Sequence, residues 1–186
     1  YPGKGYKDLP KYAQDAFLKY EFSVDVLIDA LDADVLDIFG RINSYSVPLN
    51  AQEKRNARYR GAFKQTVYKL GLEHLEYWKK NRILSDQAVA RMREAELTSE
   101  LVVAMLDGLQ DKKKSLDGFY KRWDDRFSFA NKATARFRDV IAILTNALGD
   151  DLAKSKFRKP AMFYSLFLAV YELKYGQLGK PESRSR

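Results

Sequence analysis

The sequence predicts a mostly α fold of the α+β kind, a multi-helix lobe with one or two N-terminal strands, and three observations carry that prediction. Apolar residues recur at three- and four-residue spacing through most of residues 32–175. Strict alternation of apolar and polar residues is confined to residues 22–28. The chain has 186 residues, 46% of them hydrophobic, enough to bury one good-sized core. A single helical domain over residues 1–175 and a flexible tail over 176–186 are therefore expected.

Taken in order, Asp8 is placed to cap a helix over Leu9–Tyr20, with Pro10 in its first turn, where a missing N–H costs little. In "EFSVDVLIDA" the residues Phe22, Val24, Val26 and Ile28 alternate with Ser23 and Asp25, the pattern of a half-buried strand. The ladder partners of that strand have to come from the first few residues, from residues outside this chain or from another molecule. Asp32 is the expected cap of the next helix, whose stripe of Val35, Leu36, Ile38, Phe39 and Ile42 ends near Asn43. A loop with Pro48 follows over 44–49. Asn50 and Glu53 have the spacing of a capping box, so a helix starts at Ala51 and carries Lys54, Arg55 and Arg58 in its first turns. Cations there oppose the helix dipole and ask for an anion or a carboxylate.

Further on, Tyr59, Phe63, Val67 and Leu70 predict a buried face, Gly71 an end or a bend, and Leu72–Asn81 more helix. One long helix is expected from Ser85 to Leu106, with Val89, Met92, Ala95, Ser99, Val102 and Leu106 on one face and Gly108 closing it. Helices over Leu116–Phe127, Lys132–Leu148 and Pro160–Tyr175 complete the chain. The longest apolar run, "AMFYSLFLAVY", is well short of the roughly 20 residues that cross a bilayer, so it reads as a buried helix and no membrane partner is expected. The chain opens with "YPGKGYKDLP", without Met, and the expectation drawn from this is a longer polypeptide that lost its front part or was divided.

Composition narrows the chemistry. There is no cysteine and one histidine, which excludes a disulfide framework, thiolate chemistry and a Cys/His zinc site, and fits a cytoplasmic setting. No Gly-rich phosphate loop, H-E-x-x-H or nucleophile elbow occurs. Glu96 and Glu100 are four residues apart, but no cationic or metal partner is visible for a paired-carboxylate site, and pairing with Arg93 is the plainer role. Net charge is +8 overall, with −4 over residues 1–53, +7 over 54–82, −3 over 83–110, +5 over 111–138 and +3 over 139–186. Two basic blocks thus flank an acidic helix, a distribution suited to phosphate if the blocks meet in space.

The stretch "VLDIFGRINSYSVPLNAQEKRNARYRGAFKQTVYKL" resembles the second half of the N-terminal domain of GmrSD-type, modification-dependent restriction enzymes, a ParB-like (sulfiredoxin-like) domain. Phe39 and Asn43 match that family's F-x-x-x-N motif, and "PLNAQEKRNA" and "AVARMREAELTSELVVAMLDG" are similar to later segments of it. The likeness covers roughly residues 20–170. It implies that this chain is the C-terminal, helical part of a larger ParB-like domain, and that the complete protein is an NTPase coupled to a nuclease, with an NTP and Mg2+ as its cofactor and DNA as its partner. The family's DGQQR-type and I-P-x-F-Q-R-type stretches are absent from this sequence, and so is an HNH-type nuclease segment. The resemblance therefore implies that the catalytic half is missing and that this chain has no catalytic residues or metal ligands of its own. It also implies a partner, the missing N-terminal half or another chain, that completes the sheet. Asn43 and Arg41 on one side of the loop, with Lys54, Arg55 and Arg58 on the other, are the expected wall of a nucleotide or DNA phosphate site, with Phe39 packing behind the motif. The competing expectation is a non-enzymatic basic helical module that binds nucleic acid or a partner protein.

Overall fold

Pro10, which cannot continue a hydrogen-bonded turn at its own nitrogen, is the N-cap of the first helix, α1 (Lys11–Leu18). Asp8, expected to cap a helix from Leu9, instead ends a short 3-10 turn over Tyr6–Asp8, and the helix starts two residues later than expected. α2 spans Asp32–Ser44, and Asp34 Oδ2 accepts from the Leu31 N–H, so the cap falls at Leu31 rather than at Asp32. In this computed structural model the described residues are 5–24, 26, 28, 31–44, 48–108 and 114–176, with side chains described outside residues 42–44, 114 and 115. The expected tail, beyond Gly176, lies outside them.

The chain divides into two compact units, Tyr1–Tyr45 and Ser46–Arg186, within the span that the sequence reads as one domain. Among the described residues the fold is helical, and no strand forms. The strand expected at 22–28 is thus a correction: alternation sets which side chains share a face, but a strand exists only when its backbone finds a ladder. Phe22, Val24, Val26 and Ile28 are 78%, 75%, 76% and 81% exposed. No residue of the first 3-10 turn or of α1 is buried.

The second unit holds the core. Its helices are α3 (Ala51–Arg58), α4 (Ala62–Glu73), α5 (Leu75–Lys80), α6 (Asp86–Ala90), α7 (Arg93–Asp107), α8 (Lys114–Arg122), α9 (Ala130–Leu148) and α10 (Pro160–Tyr175), with 3-10 turns between α9 and α10. α7 is the hub, packed against α3, α4, α6, α8, α9 and α10. It is buried at every residue from Glu94 to Met105 except the half-buried Glu100, as a helix surrounded on all sides must be. Phe63, Val67 and Leu70 of α4, Phe137 and Val140 of α9, and Phe163 and Phe167 of α10 close on it with 0–1% exposure. Trp78 fills the space between, ring to ring with Phe163 at 5.5 Å, and donates its indole N–H to the Gly71 carbonyl at 3.1 Å.

Two expectations change here. Gly71 neither ends nor bends α4, which runs on to Glu73; the glycine is where α4 meets α7, its notional Cβ only 3.2 Å from the Glu94 carbonyl oxygen. The long helix expected over 85–106 is broken at Met92, whose φ of 58° is left-handed and cannot continue a right-handed helix. Ser85 caps the first piece as expected, its hydroxyl accepting from the Ala88 N–H. Among the described residues no helix is long and apolar enough to cross a membrane.

Candidate functional site

The start of α3 is built as its sequence predicts. Asn50 Oδ1 accepts from the Glu53 N–H at 2.9 Å and Glu53 Oε2 accepts from the Asn50 N–H at 2.7 Å, a complete capping box. A residue that the sequence did not single out then fastens it. Arg91, in the turn between α6 and α7, donates to Glu53 Oε2 at 2.9 Å and to the Pro48 carbonyl at 2.8 Å, while its own carbonyl accepts from Asn50 Nδ2 at 2.8 Å. The left-handed Met92 beside it turns the chain so that both the side chain and the carbonyl of Arg91 reach the loop end at 48–50.

Arg55 does not face outward. Its side chain is 4% exposed; Nε donates to Asp117 Oδ1 of α8 at 2.8 Å and Nη1 to Gln52 Oε1 at 3.1 Å. Gln52, fully buried, passes the bonding on: its Nε2 donates to the Tyr120 hydroxyl at 2.8 Å and to the Tyr68 hydroxyl at 3.3 Å. Ser99 gives its one proton to the Ala95 carbonyl at 2.6 Å, so in the 2.8 Å contact between Ser99 and Tyr120 the tyrosine is the donor. The donor order runs from Arg55 through Gln52 and Tyr120 to Ser99 and the α7 backbone. Burial pushes the Tyr120 hydroxyl up, opposed by its bonds to Ser99 and Gln52. Tyr68 is pushed up to about 12, chiefly by burial, with the Gln52 bond opposing. Both phenols stay neutral, as the donor order requires.

These bonds answer the question raised by cations at a helix start. Arg55 has its carboxylate in Asp117, and Glu53 stands at the amide end of α3. Lys54 and Arg58 remain as the exposed cations of the helix, one turn apart, with the Arg58 guanidinium over the Tyr59 ring at 5.7 Å. On α2, Arg41 pairs with Asp37 at 2.8 Å and Phe39 is 45% exposed within its unit. Asn43 closes the last turn of α2, and its side chain lies outside the described ones. Of the five expected phosphate ligands, Arg41 and Asn43 thus belong to the first unit and Lys54, Arg55 and Arg58 to the second, where Arg55 is buried against Asp117. Among the described residues no group of three His, Asp or Glu comes together to hold Mg2+.

The structure does join the two basic blocks. Asp124, just past α8, accepts the Gly61 N–H on Oδ1 at 2.7 Å and the Ala62 N–H on its carbonyl at 2.8 Å, and the Trp123 carbonyl accepts the Phe63 N–H at 3.1 Å. The start of α4 is thus stitched to the end of α8. A Cβ at Gly61 would sit 1.7 Å from the Asp124 carbonyl oxygen, so only glycine allows this approach. Around the junction Arg58, Arg60, Lys121 and Arg122 are exposed, and Arg122 lies over the Phe119 ring at 5.2 Å. Arg60 and Asp124 act on Lys64, half-buried nearby; burial lowers its pKa, Arg60 lowers it further and Asp124 raises it. Of the intervening acidic block, Glu94 and Glu96 are buried in α7 at 6% and 3% exposure, with Glu96 paired with Arg93, while Asp86, paired with Lys79, and Asp107 are exposed. Phe119, Tyr120 and Tyr59 are buried, so these rings are core beneath the cations rather than a stacking platform.

Sequence spacing placed the Asn50–Glu53 capping box and put Ser99 on the inward face of its helix. The contacts of Gln52, Arg91 and Asp117 were not signalled; Gln52 stands three residues before Arg55, a helical contact distance, while Arg91 and Asp117 are set by contacts across 38 to 62 residues. Compared with protein-family models, with curated proteins and with solved structures, the chain matches none.

Proposed function

We propose that this chain is the helical part of a nucleotide-dependent, DNA-modification-sensing restriction or antiphage protein of the GmrSD type, and that it contributes a phosphate-holding surface rather than the chemistry. The observation that carries the reading is the junction of the two basic blocks, where Arg58 and Arg60 of one and Lys121 and Arg122 of the other are exposed while Glu94 and Glu96 of the acidic block between them are buried. Lys54 extends the surface along α3. Arg55 holds α3 in place from within, and Arg41 and Asn43 keep the part in a phosphate wall that the family resemblance gives them. Charge of this kind attracts a nucleic-acid backbone irrespective of sequence and releases its counterions on binding.

The test is a duplex-DNA binding titration over a range of salt concentrations, comparing the natural chain with Arg58→Glu/Arg60→Glu/Lys121→Glu/Arg122→Glu. A steep loss of affinity with salt is expected for the natural chain, and a slope shallower by roughly one per lost phosphate contact for the variant. Equal affinity and equal slopes overturn it.

A second reading, a module that docks a partner polypeptide, is favoured by one observation: Phe17, Leu18, Tyr20, Phe22, Val24, Val26 and Ile28 of the first unit are 67–81% exposed. A chain that offers a sheet edge to residues 22–28 would cover them.

A further inference from the structure

Two buried oxygens on α7 have no hydrogen-bond partner among the described residues, Glu94 Oε2 and Thr98 Oγ1. They are one turn apart and so share a face, and their residues are 6% and 0% exposed. Opposite them on α4 is Gly71, where a Cβ would lie 3.3 Å from Thr98 Oγ1 and 3.2 Å from the Glu94 carbonyl oxygen. The helices approach so closely at this point that even a methyl group on residue 71 would crowd the Glu94 backbone and the Thr98 hydroxyl.

The charged and titratable groups around Glu94 are engaged elsewhere. On α7, Arg93 is paired with Glu96. In the turn before α7, Arg91 is held by Glu53 of α3, and Arg55 of α3 by Asp117 of α8. On α4, the Lys64 ammonium donates to the Asn56 carbonyl, and Tyr68, whose hydroxyl is raised partly by the charge of Glu94, is neutral. An ionised carboxylate left here would be a buried charge without a counterion, the costliest arrangement a core can hold.

We propose that folding traps Glu94 as a neutral carboxylic acid between α4 and α7, so that the helical unit binds one proton as it folds and loosens along this seam when the proton leaves. Burial holds the carboxyl above the usual glutamate range, opposed by its own backbone N–H. The sign follows from linkage. Because the folded state keeps the proton to a higher pH than the unfolded chain does, stability is full below the ordinary glutamate pKa. It falls as pH rises from there to the folded pKa, and stays lower beyond it.

The experiment is denaturant unfolding of the full chain and of Glu94→Gln, an uncharged mimic of the acid, from pH 4 to pH 9. The two are expected to be similarly stable at the acid end. With rising pH the ratio of their unfolding constants should grow in favour of Glu94→Gln, about tenfold for each unit by which the folded pKa exceeds the unfolded one. A ratio that does not change with pH overturns the proposal. If Glu94→Gln fails to fold, carbon-13 carboxyl NMR of the natural chain decides: a Glu94 midpoint above ordinary glutamate supports trapping, and a midpoint at or below it overturns it.

Discussion

α2 and α3 stand on either side of residues 45–47 and read alike in sequence, each with a cap signal and an arginine near the family motif, yet their side chains meet different fates. On α3, Gln52 and Arg55 are 0% and 3% exposed and tied to residues of α8. On α2, Arg41 pairs with Asp37 one turn back, and Val35, Leu36 and Phe39 are 42%, 46% and 45% exposed. A helical pattern fixes which residues share a face; what that face is worth depends on long-range partners such as those that hold Gln52 and Arg55 of α3.

Substitutions at five positions break or sharpen that contrast. Phe63→Ala, at a fully buried ring edge-on to Tyr120 and Phe127, should cost about 3–5 kcal/mol in denaturant unfolding. The same change at Phe39 should cost less than about 1 kcal/mol. A large loss at Phe39 would mean that its ring is covered in solution. Arg55→Ala comes next. It removes the donor to Gln52 Oε1 and the partner of Asp117; because Asp117 is half exposed and can recover water, about 2–3 kcal/mol is expected, below the cost of stranding a fully buried charge. Arg41→Ala should stay within about 0.5 kcal/mol in the same measurement, as an exposed one-turn ion pair does. The smallest informative change is Asn50→Asp. It keeps the cap on the Glu53 N–H but loses the amide donor to the Arg91 carbonyl. A loss of about 1 kcal/mol is expected, with Asn50→Ala losing more.

Local chemistry was legible in the sequence where it decides the outcome by itself. The capping box at Asn50, the cap at Ser85 and the whole of α10, with Pro160 in its first turn and Gly176 after its last residue, lie where spacing places them. The strand at 22–28 was misread because alternation is a property of side chains and a ladder is a property of two backbones. Nothing in residues 85–106 signals a left-handed Met92, since its conformation is imposed by Arg91 reaching back to Glu53 and Pro48. The inward turn of Arg55 was out of reach for the same reason: its carboxylate stands 62 residues later.

The buried amide of Gln52 serves two neighbours with opposite needs. Its oxygen meets a guanidinium and its nitrogen meets two phenols. Glutamate there would answer Arg55 with a full charge but leave Tyr68 and Tyr120 facing an acceptor, and lysine would serve the phenols while repelling Arg55. Position 52 is therefore closed to charge of either sign, although it stands in one of the most highly charged helices of the chain.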